Sequence, residues 1–191
     1  MKSSRQLGYE FFALTDTGRV RSNNEDAVAI HEAARLVLLA DGMGGYSAGE
    51  VAADMAVNLV GSELAQWLED APERVSMAAV RQAMLVCVEN ANQAILGAAL
   101  ANPQYLGMGT TLVAVRLQGE ALELAWVGDS RAYRVGSTGI EQLSQVLTDH
   151  DSRAHLTQAT AAVLEDQHYQ ALKSLRALLP REERLLAAGS A

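Results

Sequence analysis

Apolar positions along this chain change period twice. Up to about Gly45 they form short runs between polar loops: Tyr9 to Leu14, Ala27 to Ile30 and Leu36 to Ala40. Runs of this length bounded by turn residues predict strands. Leu36-Val37-Leu38-Leu39-Ala40 shows no alternation, which predicts a strand covered on both faces. It ends at Asp41-Gly42-Met43-Gly44-Gly45.

The period then becomes helical. Ser47 and Glu50 have the spacing of a capping box, which places a helix start there. Ala52, Ala56, Val60, Leu64 and Trp67 follow at steps of three or four, one face of a helix. Asp70-Ala71-Pro72 predicts a second start, followed by a stripe of Val80, Met84, Cys87, Ala91 and Ile95. Both stripes are expected to pack on a sheet. From Thr111 alternation returns, with Thr111, Val113, Val115 and Leu117 on one face. Turns at Gln118-Gly119-Glu120, Gly128-Asp129-Ser130 and Gly136 to Gly139 separate Leu122–Val127, Ala132–Val135 and Ile140–Leu143, an antiparallel meander. Beyond about Arg153, Leu156, Ala159, Val163, Leu172, Leu175 and Leu179 have helical spacing, so a helical tail is expected. Strand blocks on either side of a helical hairpin predict an α+β fold with helices covering antiparallel sheets.

Composition narrows the function classes. The 191 residues carry a net charge of −8, with a pI near 5.0 and 49% hydrophobic residues. That suits one globular domain, with or without a short appendage. A coat for duplex DNA is excluded, because the surplus of positive charge that neutralises phosphates is missing. The uninterrupted apolar runs are too short to predict a membrane span. The start, Met1-Lys2-Ser3-Ser4-Arg5-Gln6, has no apolar core of an export signal. Cys87 is the one cysteine, so neither an internal disulfide nor a thiolate metal cage is possible. A cytoplasmic location is expected, and Cys87 is read as a core residue, not a nucleophile.

Four motifs can carry chemistry. Arg21-Ser22-Asn23-Asn24-Glu25-Asp26 sits between two strands, where Arg21 offers a planar fork of donors suited to phosphate oxygens. Glu25 and Asp26 offer hard oxygen donors. Taken alone, the same six residues also describe a solvated polar turn. In Asp41-Gly42-Met43-Gly44-Gly45, a strand end holds the aspartate, and the glycine lets a backbone carbonyl approach an ion. A tight turn into a helix is the plainer reading. No Gly-Lys-Ser or Gly-Lys-Thr follows, so a P-loop is excluded, and the glycine spacing excludes a dinucleotide fingerprint. Gly107-Met108-Gly109-Thr110-Thr111 allows close backbone approach. Val127-Gly128-Asp129-Ser130-Arg131 puts another aspartate in a tight turn, as an Asx turn or a metal ligand.

The order and spacing of these four motifs, from about Thr15 to Ser152, resemble the metal-dependent protein phosphatase family, type 2C, in its bacterial form. Leu147-Thr148-Asp149-His150-Asp151-Ser152 is similar to the family's Leu-Thr-x-Asp-His-Ser, compressed by a residue. The resemblance implies an antiparallel β-sandwich flanked by helices in α-β-β-α layers. It implies hydrolysis of phosphoserine and phosphothreonine with two Mn²⁺ or Mg²⁺ ions, a third being possible. By position, Asp41 would bridge the metals and Gly42 would add its carbonyl. Glu25 and Asp26 would be acidic groups at or behind the ions. Arg21 would hold the substrate phosphate, and Asp129 would serve the third metal. Met43 stands where eukaryotic members carry a histidine thought to act as general acid. The implied partner is a phosphorylated protein, a Ser/Thr kinase or its targets. Neither nucleic acid nor membrane insertion is implied.

The chain departs from the family after Ser152. The Ser-Asp-Gly and Asp-Asn motifs that supply two further metal aspartates do not occur there. The expected organisation is therefore a phosphatase-like region, 1–152, incomplete in its C-terminal half, and a divergent helical tail, 153–191. Open strand edges and apolar faces would follow, for the tail's leucine stripe or self-association to cover. An inactive phosphatase-like binding module and a truncated gene product are the alternatives to an active enzyme.

Overall fold

The computed structural model describes residues 8–44, 48–71, 75–119, 121–144 and 155–160, the last six as backbone alone. Strands β1 (Asp26–His31) and β2 (Leu36–Met43) form a hairpin. Helices α1 (Ala48–Asp70) and α2 (Met77–Ala101) follow, then a 3-10 turn at Pro103–Tyr105. The remaining strands are β3 (Gly109–Thr110), β4 (Leu112–Gln118), β5 (Ala121–Val127), β6 (Tyr133–Gly136), β7 (Gly139–Gln142) and β8 (His155–Thr160). Among the described residues every strand pairing is antiparallel. One sheet runs β1-β2-β4-β5-β8 with β3 also on β2, and β6-β7 is a separate hairpin.

Period and burial agree in the helices. Ala52, Ala56, Val60 and Leu64 of α1 are buried, as are Val80, Met84, Cys87, Ala91 and Ile95 of α2. They cover one face of the sheet through Leu36, Leu38, Ala40, Ala114 and Ala125. The alanines along α1 leave little side chain between helix and sheet, so α1 lies close to β2. The other face carries a smaller cluster of Val113, Leu122, Leu124 and Trp126, against which Ala132 and Leu143 from the flanks of the β6-β7 hairpin pack. Antiparallel sheets with helices on one face match the α+β expectation. By length and composition α2 could cross a membrane, but here its buried stripe serves the contact with α1 and the sheet.

Several expectations change. Among the described residues Tyr9 to Leu14 pairs in no ladder: Tyr9 donates its hydroxyl to the Gly119 carbonyl at 2.5 Å and stacks on Phe11, while Phe12 and Leu14 are exposed. Side-chain contacts hold that segment in place of strand pairing. β2 alternates, with Leu36, Leu38 and Ala40 buried and Leu39 41% exposed, so among the described residues only its helix-facing side is fully covered. The Asp70-Ala71-Pro72 signal ends α1; α2 starts later, where the Ser76 hydroxyl oxygen caps the Ala79 N–H at 3.2 Å. Ser47 lies outside the described residues. Residues 155–160 are a strand, not the start of a helix, because the outer edge of β5 offers them a ladder, with Ala125 opposite Leu156 and Leu122 opposite Ala159. The rest of the expected helical tail, and Leu147–Ser152, lie outside the described residues.

Candidate active site

The site assembles at the end of the β1-β2 hairpin. Asp26 opens β1, and Asp41 lies directly opposite it near the end of β2. Cross-strand neighbours share a face, so the ladder itself brings the two carboxyls together. Asp41 lies within the strand, not in a loop after it. The preceding loop is tied locally. Asp16 accepts from the Gly18 N–H at 2.6 Å, Asn24 donates to the Thr15 hydroxyl at 2.6 Å, and the Asn24 side-chain oxygen accepts from the Asp26 N–H at 3.1 Å. These bonds aim Arg21 and Glu25 from the same loop. Arg21 Nη1 donates to Glu25 Oε2 at 3.4 Å, with the Arg21 side chain 74% exposed and that of Glu25 14%. So open a pair contributes little to stability; the guanidinium faces solvent.

Gly42 is required by close packing. A Cβ there would lie 2.0 Å from the Gly49 carbonyl oxygen in the first turn of α1 and 2.7 Å from the Glu25 carbonyl oxygen. Its N–H donates to that Glu25 carbonyl at 3.0 Å. A Cβ on Gly49 would in turn lie 3.0 Å from the Glu25 carboxyl carbon. Glu25 thus sits against the first turn of α1, at the positive end of its dipole.

The register also brings β3 and β4 to Asp41. Leu39 faces Val113 and Gly42 faces Thr110, so Thr111 stands opposite Asp41 between the two short strands. Thr111 N–H donates to the Asp41 carbonyl at 2.9 Å. The Asp41 N–H donates to the Thr111 hydroxyl at 3.0 Å, so a side chain replaces the usual ladder carbonyl. Thr111 Oγ1 is also 2.7 Å from Ser130 Oγ, beside Asp129 in the turn after β5. Sequence reading singled out these threonines and this serine only as parts of motifs; their part in the site needed the register.

The electrostatics follow. Asp41 is open to solvent, yet its neighbours strip part of its water. That desolvation, then the charges of Asp26 and Asp129, hold its carboxyl above the usual carboxylate range, while Arg21 acts the other way. Of the described groups acting on Asp41, Asp26 and Asp129 raise its proton affinity and Arg21 alone supplies a positive charge. Carboxylates that crowd one another and a reachable carbonyl are the donors that hard divalent cations favour over Cys or His. The donor chemistry therefore fits Mn²⁺ or Mg²⁺. Among the described residues, no group of three or more His, Cys, Asp or Glu side chains is spaced to hold a metal ion. Asp26 and Asp41 stand opposite each other across the ladder, and the charge of Asp129 acts on Asp41 from the turn after β5.

Comparison with known proteins identifies the family. Residues 17–182 match the family model of protein phosphatase 2C. The serine/threonine protein phosphatase PstP of Mycobacterium tuberculosis is 36% identical over 178 residues, covering 92% of this chain and 32% of the relative. Protein phosphatase PhpP of Streptococcus pneumoniae is 33% identical, covering 87% and 65%. The chain thus spans about a third to two thirds of the curated relatives it matches. Among solved structures, the catalytic domain of PstP in complex with two manganese ions superposes with a TM-score of 0.61 at 33% identity, covering 76% of this chain and 70% of that one. The family model spans residues 17–182, most of the chain: this chain belongs to the protein phosphatase 2C family.

Proposed function

We propose that this chain is a metal-dependent protein serine/threonine phosphatase that hydrolyses phosphoserine and phosphothreonine to the free alcohol and inorganic phosphate. The observation that carries the proposal is the cross-strand pair of Asp26 and Asp41, under the influence of Asp129 and Arg21. Asp41 and the Gly42 carbonyl would hold Mn²⁺ or Mg²⁺ with Glu25 and Asp26, and Asp129 would serve a further ion. Two such ions, when bound, lower the pKa of water and balance charge on the transferring phosphoryl group. Arg21 presents its exposed fork to two phosphate oxygens and so orients the ester. Glu25 tethers Arg21 to the loop that carries Asp26. Met43, 67% exposed, cannot donate a proton, and the leaving oxygen takes its proton from solvent that reaches this open strand end. Phosphoproteins produced by a Ser/Thr kinase, in the cytoplasm, are the substrates this reading implies.

The test is turnover of a phosphothreonine peptide during a Mn²⁺ titration, with calorimetry of metal uptake alongside. Asp41→Asn is expected to abolish Mn²⁺-dependent turnover. Turnover unaffected by Asp41→Asn, or no uptake of Mn²⁺ or Mg²⁺ by the full chain, overturns the proposal. Binding of the phosphopeptide without turnover would identify the inactive binding module instead.

A further inference from the structure

Thr111 is the point where two parts of the site meet. Its hydroxyl accepts the Asp41 N–H at 3.0 Å and shares a hydrogen bond with Ser130 at 2.7 Å, while its own N–H returns to the Asp41 carbonyl at 2.9 Å. Thr110 adds a hydroxyl bond to the same Asp41 carbonyl at 3.1 Å. The methyl of Thr111 packs on the turn that holds Asp129. Gly128, at φ +88°, has room for no side chain, because a Cβ there would lie 2.8 Å from Thr111 Cγ2. Both functional groups of one side chain are therefore committed, the hydroxyl to Asp41 and Ser130, the methyl to Gly128.

We propose that the Thr111–Ser130 hydroxyl pair is a positioning unit that ties the backbone of Asp41 to the turn bearing Asp129, so that the two carboxylates are set as one body. The metal arm of this inference rests on the phosphatase reading above; the tether itself does not. A break in the β2 ladder at position 111 would ordinarily leave the Asp41 N–H for water. Here the threonine hydroxyl fills that role and passes the constraint to the next turn. Neither residue touches a reacting atom. Partners that orient a metal ligand without binding the ion typically change metal affinity by about 10- to 100-fold when removed.

The experiment uses the full chain with Thr111→Val, Thr111→Ser, Ser130→Ala and the Thr111→Val/Ser130→Ala double variant. Three quantities are read: amide exchange of Asp41 in the metal-free protein, Mn²⁺ affinity by calorimetry, and urea unfolding. Thr111→Val keeps the methyl and removes the hydroxyl. It is expected to speed Asp41 amide exchange and weaken Mn²⁺ binding by about tenfold or more. Thr111→Ser is expected to restore both. Ser130→Ala is expected to weaken Mn²⁺ binding by a smaller factor, and to have no added effect once Thr111→Val is present. Additive effects of the two substitutions, or wild-type exchange at Asp41 in Thr111→Val, overturn the proposal. Failure of Thr111→Serine to rescue also overturns it. If Thr111→Val does not fold, Ser130→Ala alone decides, and wild-type Asp41 exchange in that variant overturns the tether. If the wild-type chain takes up no Mn²⁺, the phosphatase reading fails, while exchange and unfolding still decide the tether.

Discussion

Arg81 of α2 meets Glu123 of β5 in a two-pronged ion pair, Nε to Oε2 at 3.2 Å and Nη2 to Oε1 at 3.0 Å. The Glu123 side chain is completely buried and that of Arg81 is 34% exposed. The pair fixes α2 over β5 of the sheet. The two ends are unequal, because only the arginine can turn to water if its partner is lost. Arg81→Met is expected to destabilise the chain by about 3 kcal/mol, since it strands a buried carboxylate. Glu123→Leu is expected to be milder, and the double variant to recover most of the loss. Urea midpoints at unchanged m-value check the order.

Gly42→Ala is expected to be strongly destabilising although it adds only one methyl group. The new methyl group would have to occupy the space of the Gly49 carbonyl oxygen, 2.0 Å away. Both obstacles are backbone, so neither can rotate aside, and α1 must move off the strand. A loss of about 3 kcal/mol is expected, at the upper end of overpacking costs. Thermal melting followed by circular dichroism measures it.

Cys87 gives a pH signature. Burial, and then the neighbouring Glu63, push its thiol from 9.0 up to about 11. The folded state therefore keeps a proton that the unfolded chain releases. This contribution is complete below pH 9 and is lost as pH rises toward 11. The loss amounts to at most roughly 2–3 kcal/mol. Unfolding free energies measured across that range are expected to fall more steeply for the wild type than for Cys87→Ala. At neutral pH a thiol reagent is expected to modify Cys87 only as fast as the chain opens.

Asp41 links stability to the proposed chemistry with the opposite demand. Its raised pKa means that the metal-free fold prefers the protonated carboxyl, so this group's contribution is lost as pH rises through the raised value. Asp41→Asn is therefore expected to raise the melting temperature of metal-free protein at neutral pH while removing Mn²⁺-dependent turnover. For the wild type, uptake of Mn²⁺ is expected to release protons, and to weaken as pH falls into the carboxylate range. Calorimetry in buffers of different ionisation enthalpy detects the released protons.

Patterns that depend on one element were legible in the sequence. The stripes Ala52 to Leu64 and Val80 to Ile95 gave both buried helix faces, and the alternation around Val113 gave β4. The order of Arg21, Asp41 and Asp129 gave the family before any coordinate. What needed two elements at once was hidden. Thr111 reads as one more alternating residue until the ladder sets it opposite Asp41. Gly42 and Gly49 read as turn glycines until the helix is laid on the strand. Leu156 and Ala159 fit a helix by spacing, but the free edge of β5 decides for a strand. Tyr9 to Leu14 has strand composition, yet aromatic stacking and one hydroxyl bond place it. The start of α2 is set by the Ser76 cap, a stronger local signal than the proline further upstream.

β2 is flanked by partners on both sides, β1 on one and β3 with β4 on the other, and it runs without interruption from Leu36 and Leu38 in the core to Asp41. Opening that begins at an outer edge of the sheet must travel inward past a neighbour before it reaches the aspartate. The β6-β7 hairpin, joined among the described residues to no strand of the main sheet, is placed to loosen first. The end of β2 that carries Asp41 is thereby among the last regions to give way, and mild heat or denaturant should fray the periphery well before it reaches the centre.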